Sequence, residues 1–141
     1  MDGKIKGPGA LETTNVGTFG VAKTTLLDKR FTMAYAAGIS DDNEAYFHDD
    51  RAGSPQVHPC IAFSLQWAAR FRPDQSQDPR VASFGVHAST DLVVHRPFKS
   101  GEAITTQGQL LQMRQISPGV YNVDLYRMTS STGELVAELY Y

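Results

Sequence analysis

The sequence predicts an α+β domain in which one curved antiparallel sheet wraps a long, buried central helix. Three observations predict it. Residues 59–71 (PCIAFSLQWAARF) are apolar on nearly every face of a helix, the mark of a helix with protein all around it. Four β-like segments fill the C-terminal half, at 81–96, 102–116, 120–129 and 134–141. Turn-forming stretches separate them, Arg-Pro-Phe-Lys-Ser-Gly at 96–101, Ser-Pro-Gly at 117–119 and Ser-Thr-Gly at 131–133. Short turns between long strands give an antiparallel meander.

The 141 residues suffice for one compact domain and are too few for two independent ones. A content of 41% apolar and 20% charged residues argues against intrinsic disorder. The net charge is −2, and neither half of the chain is basic: residues 1–70 carry 7 basic and 8 acidic side chains, residues 71–141 carry 6 and 7. A surface that tracks nucleic-acid phosphates is therefore not expected. Apolar runs fall short of the ~20 residues of a membrane helix. The opening Met-Asp-Gly-Lys-Ile-Lys-Gly-Pro-Gly lacks the apolar core of a secretory signal or anchor. One cysteine, Cys60, excludes an internal disulfide and every multi-cysteine zinc pattern, and its expected role is that of a small buried hydrophobe. These features together predict a cytoplasmic protein.

Taken in order, residues 1–15 hold three glycines and a proline without periodicity and form a flexible lead-in; 16–141 make the single domain. Residues 16–22 (VGTFGVA) suggest a short strand weakened by its glycines. A helix follows. Thr25 and Asp28 have capping-box spacing, Leu27, Phe31, Ala34, Tyr35 and Gly38 form one stripe, and Gly38 suits the stop. Residues 40–51 (SDDNEAYFHDDR) are acidic, with one histidine. The central helix begins with Pro59, tolerated at a first helical position because its missing N–H would be an orphan anyway. Residues 72–80 make a polar connection to the strands. The last segment, ELVAELYY, runs to Tyr141 without a polar ending, which fits either a fragment or an edge strand covered in an oligomer.

Metal chemistry has little support. His87 and His95 would share a face of a regular strand, but no third ligand has suitable spacing. The acidic loop lacks the glycine and terminal glutamate of a calcium loop. No nucleophile-elbow, P-loop or dinucleotide fingerprint is present.

The order of the remaining motifs is distinctive. A helix carrying Tyr35-Ala-Ala-Gly-Ile-Ser-Asp-Asp-Asn43 leads to His48-Asp49, then His58, the apolar helix, Arg96-Pro97 and Gly101-Glu102. Over residues 15–141 this resembles the MaoC-like family of hot dog-fold proteins, which includes the (R)-specific enoyl-CoA hydratases. Its motif, about Gly-Asp-x-Asn-Pro-Leu-His, corresponds to Ser40-Asp41-Asp42-Asn43-Glu44-Ala45-Tyr46-Phe47-His48. Asp42 and His48 are six positions apart where the family has five, and His58-Pro59 stands where active relatives commonly have His-Gly.

The resemblance implies a hydratase or dehydratase that interconverts trans-2-enoyl-CoA and 3-hydroxyacyl-CoA. Such a reaction needs a water activated for attack at C3, a proton delivered to C2 and fixed donors facing the thioester oxygen. By resemblance Asp42 is the carboxylate, His48 the imidazole and Asn43 the residue that orients them. His58, Pro59, Cys60 and Ile61, at the helix entry, would face the thioester. Coenzyme A enters as part of the substrate, with no metal or redox cofactor, and a single repeat implies a homodimer or higher oligomer. The alternative is a non-catalytic acyl-CoA-binding repeat or subunit that pairs with an active partner; a hot dog thioesterase ranks behind both. Read from the residues alone, Asp42 and Asn43 shape a turn, His48 is a surface histidine and His58 caps or packs against the helix.

Overall fold

The computed structural model of the chain describes residues 16–50, 55–70 and 86–141, residue 118 excepted. Five strands form one antiparallel sheet: β1 (Lys23–Leu26), β2 (Asp91–Val94), β3 (Ala103–Ile116), β4 (Gly119–Ser130) and β5 (Leu135–Tyr140), in the order β1-β3-β4-β5-β2. The expected meander is β3-β4-β5, with β1 added beside β3 and β2 beside β5. Along β3, Ile104, Thr106, Gly108 and Leu110 are buried while their neighbours are not, the period of a strand with one covered face. A bulge between Leu110 and Gln112 ends that regularity. The expected lead-in at 1–15, the connection at 72–80 and the start of the segment at 81–96 lie outside the described residues.

The C-terminal segment, whose ending fits either a fragment or a covered edge strand, is an internal strand. Residues 91–94 pair with it, Asp91 opposite Tyr140, so the sheet's edges are β1 and β2. Tyr141 adds a backbone bond in each direction with Asp124, at 2.8 and 2.9 Å.

Three local expectations shift. The strand expected at 16–22 reduces to one bridge, Phe19 with Gln109, and the strand proper is the next β-favouring run, Lys23-Thr-Thr-Leu26. Thr25 therefore lies in β1 opposite Ile104, and the first helix, α1 (Lys29–Gly38), is capped by Asp28, whose side chain accepts the Phe31 N–H at 2.7 Å. α1 also runs through Gly38. Its left-handed residue is Ser40, at φ 59°, with Ser40 N–H bonded to the Ala37 carbonyl and Asp41 N–H to the Ala36 carbonyl. That pair of bonds is a Schellman ending.

The central helix, α2 (Ile61–Ala68), is shorter than the apolar run that announced it. Ile61, Ala62 and Leu65 enter a core with Leu27, Phe98, Ile104, Tyr126, Met128 and Leu139. Its other flank is open: Phe63 is exposed and Trp67 is 60% exposed. A single sheet covers a helix from one side only. Among the described residues the helix is not buried all round.

The loop before β3 is pinned at both ends. Gly101, at φ 84°, donates to the Leu27 carbonyl, and the Leu27 N–H to that of Glu102, joining this turn to the end of β1. Glu102 accepts two hydrogen bonds from Arg96 and one from the Lys99 N–H.

Candidate active site

The Schellman ending of α1 fixes the backbone of Asp41 and aims its carboxylate back across the loop. Asp41 Oδ1 accepts the Asn43 N–H at 3.0 Å, an Asx turn, and Oδ2 stands 3.4 Å from His58 Nε2. His58 Nδ1 accepts the Cys60 N–H at 3.1 Å. That bond requires a bare Nδ1 and places the ring proton on Nε2, facing Asp41. The imidazole is largely buried between the rings of Tyr35, 6.0 Å away, and Tyr46, 5.2 Å away. Tyr35 Oη donates to the Cys60 carbonyl at 2.5 Å. Burial, with a smaller push from Cys60, raises the tyrosine's pKa above its ordinary 10.0.

The residues of the altered motif are arranged differently from one another. Asn43 Oδ1 accepts the Ala45 N–H and caps a single 3-10 turn, Glu44–Tyr46. Gln56 N–H bonds to the Ala45 carbonyl, which ties this turn to the approach of α2. His48 Nε2 lies 3.4 Å from Glu44 and Nδ1 3.9 Å from Asp50. Asp42 is exposed and lines a small open cleft with Ala37, Ser40, Asp41 and Phe47. The carboxylate–imidazole pair nearest the tip of α2 is thus Asp41–His58, while His48 is bracketed by two other acids.

The tip of α2 decides what chemistry this arrangement can do. Pro59 has no N–H. The Cys60 N–H is taken by His58 Nδ1, the Ile61 N–H by the His58 carbonyl at 3.0 Å, and the Ala62 N–H by the Pro59 carbonyl at 3.3 Å. A helix N-terminus normally offers free donors to a developing anion. Here the first amides are closed onto the chain itself.

Two residues escaped the sequence reading. The motif points to Asp42, whereas the Schellman ending of α1 brings its neighbour Asp41 to His58. Gln66, the one amide in the apolar run, is 3% exposed, and its Nε2 has no hydrogen-bond partner among the described residues. Its position inside so apolar a helix was the available signal. His87 and His95 do not share a strand face, because residues 86–90 are not strand: His87 stacks on Tyr141 at 4.7 Å, and His95 meets Glu138 at 3.3 Å. Among the described residues no cluster of three or more His, Cys, Asp or Glu could hold a metal ion, and no helix is long and apolar enough to cross a membrane.

No family model and no curated protein matches the sequence. Solved structures do match. The HadBC (3R-hydroxyacyl-ACP dehydratase) complex of Mycobacterium tuberculosis contributes a chain 19% identical, with a TM-score of 0.72 over 92% of this chain and 96% of that one. The (R)-hydratase of A. caviae involved in PHA biosynthesis is 17% identical, with a TM-score of 0.63 over 92% and 95%. A MaoC-like dehydratase from Phytophthora capsici is 17% identical, with a TM-score of 0.70; the match takes in 90% of this chain and 45% of that one. The chain has the hot dog fold of these MaoC-like dehydratases and (R)-hydratases, the fold to which its motif order pointed.

Proposed function

We propose that the chain is an acyl-thioester-binding hot dog unit of the hydratase/dehydratase class, and that it works beside a partner unit that supplies the reacting groups. The observation that carries this reading is the closed tip of α2. Adding or removing water across C2 and C3 of an acyl thioester builds negative charge on the thioester oxygen, and loss of a single donor to such an oxygen costs about 10²–10³ in rate. Pro59, Cys60 and Ile61 have no free donor to give it. Coenzyme A belongs to the substrate, and chemistry of this class calls for no metal or redox cofactor. The open flank of α2 and the uncovered edge strand β2, where Val93 and Val94 are exposed, favour an assembly with a second hot dog unit, a like copy or an active partner.

A second reading keeps the chemistry in this chain, with Asp42 as carboxylate, His48 as imidazole and Asn43 orienting them. Its support is the cleft at Asp42, whose carboxylate is open to solvent and can reach a bound water. Against it, the nitrogens of His48 face Glu44 and Asp50, and the carbonyl oxygen of Asn43 is engaged by Ala45.

Calorimetric titration with crotonyl-CoA tests the binding half. Saturable binding that persists in Asp42→Ala and His48→Ala is expected. Absence of binding, or its loss in both variants, contradicts the reading.

A further inference from the structure

We propose that Gln66 makes the cleft on the open flank of α2 a site for acyl groups that carry an oxygen acceptor part-way along an otherwise apolar chain. The inference rests on the acyl-thioester reading and names its ligand more closely. The cleft holds ≈ 580 Å³ and is walled mainly by aromatic rings, those of Tyr35, Phe63, Trp67 and Tyr141. Its histidine, His87, is already engaged, stacked on Tyr141 and bonded to Thr90 Oγ1 at 2.6 Å. Gln66 is not: its buried Nε2 has no partner among the described residues.

A sealed, unpaired amide N–H is a standing cost of the empty fold. A ligand oxygen that reaches it removes that cost; a bare hydrocarbon chain leaves it in place. Depth says which part of the ligand bears the oxygen. Gln66 and Trp67 both line the cleft, Gln66 at 3% exposure and Trp67 at 60%. The acceptor therefore belongs to the inserted acyl group rather than to the solvent-facing pantetheine. Position along the helix says where on the chain it lies. Gln66 lies six positions beyond Cys60, roughly 9 Å at the helical rise, so the acceptor it takes is several carbons away from any group at the helix tip.

Trp67 is the chain's single tryptophan and reports on the cleft directly. The intact protein is titrated with octanoyl-CoA, with 5- and 7-oxooctanoyl-CoA, and with 2-octanone, which shares the methyl-ketone end and lacks a thioester; tryptophan fluorescence is followed in each case. One of the oxo thioesters is expected to bind about tenfold or more tightly than octanoyl-CoA. Gln66→Met, unbranched and apolar, is expected to bring that ratio close to one by weakening the oxo ligand alone. If Gln66→Met does not fold, the wild-type ratio decides. Equal affinities in the wild type, or a ratio unchanged in Gln66→Met, overturn the inference while leaving thioester binding intact. A shift with 2-octanone that Gln66→Met abolishes, with no thioester binding, supports the cleft's preference and overturns the acyl-thioester reading. If no probe moves Trp67, the cleft inference falls, whatever calorimetry says of thioesters.

Discussion

Asp41 and His58 meet at 3.4 Å, and the same imidazole accepts the Cys60 amide through its other nitrogen, so one ring joins the end of α1 to the start of α2. With both nitrogens facing partners, the ring acts first as a cap. His58→Ala should lower stability by about 1 kcal/mol, the usual worth of a cap, and His58→Asn should recover part of it. Urea unfolding of the three proteins checks the order; equal midpoints contradict the capping role.

Tyr35 ties the same corner from the other side. Tyr35→Phe removes its bond to the Cys60 carbonyl and should cost about 0.5–1.5 kcal/mol near neutral pH. The pH dependence has a definite sign. Because the folded pKa is raised above 10.0, the stabilisation is complete below that value and is lost as pH climbs from there through the folded pKa. Alkaline denaturation of the wild type should show this loss, and Tyr35→Phe should lack it.

Arg96 and Arg127 both pair with glutamates, yet their variants should differ. Arg96 is 17% exposed, grips Glu102 through two bonds and reaches Glu134 with a third; the Glu102 bond is the main cause that raises its pKa above the ordinary range. Arg96→Met leaves the half-buried Glu102 carboxylate without that partner and should cost about 2–3 kcal/mol. Arg127, 47% exposed, meets Glu138, which keeps His95 at 3.3 Å as a second partner, so Arg127→Met should cost less than about 1 kcal/mol. The two urea midpoints give the comparison. A larger effect at Arg127 contradicts it.

The framework was legible in the sequence where local chemistry and packing agree. The β-like segments and the turn-forming stretches at 117–119 and 131–133 carried the meander, and the apolar run at 59–71 marked the helix that seeds the core. Errors arose where a neighbour chose between two acceptable local states. Thr25 could cap a helix or continue a strand, and pairing with Ile104 made it strand. The position of β2 at the far edge depends on a crossover that no pattern of period two encodes. At the site, the motif drew attention to Asp42 and His48, whereas the turn after α1 and the approach to α2 brought Asp41 to His58. Loop geometry rather than residue type made that choice.

The open side of the fold predicts association. Val93→Lys puts a charge on edge strand β2 and should shift the protein toward a monomer in sedimentation at micromolar concentration, with no loss of thermal stability of the monomer itself. An unchanged assembly places the interface elsewhere.

The most direct test of the central claim is the absorbance of crotonyl-CoA incubated with the chain alone at high protein concentration. A closed α2 tip predicts bound thioester and no loss of the enoyl absorbance above the uncatalysed rate. Steady hydration by the chain alone, abolished in Asp42→Ala and in His48→Ala, contradicts the claim and returns the chemistry to those two residues.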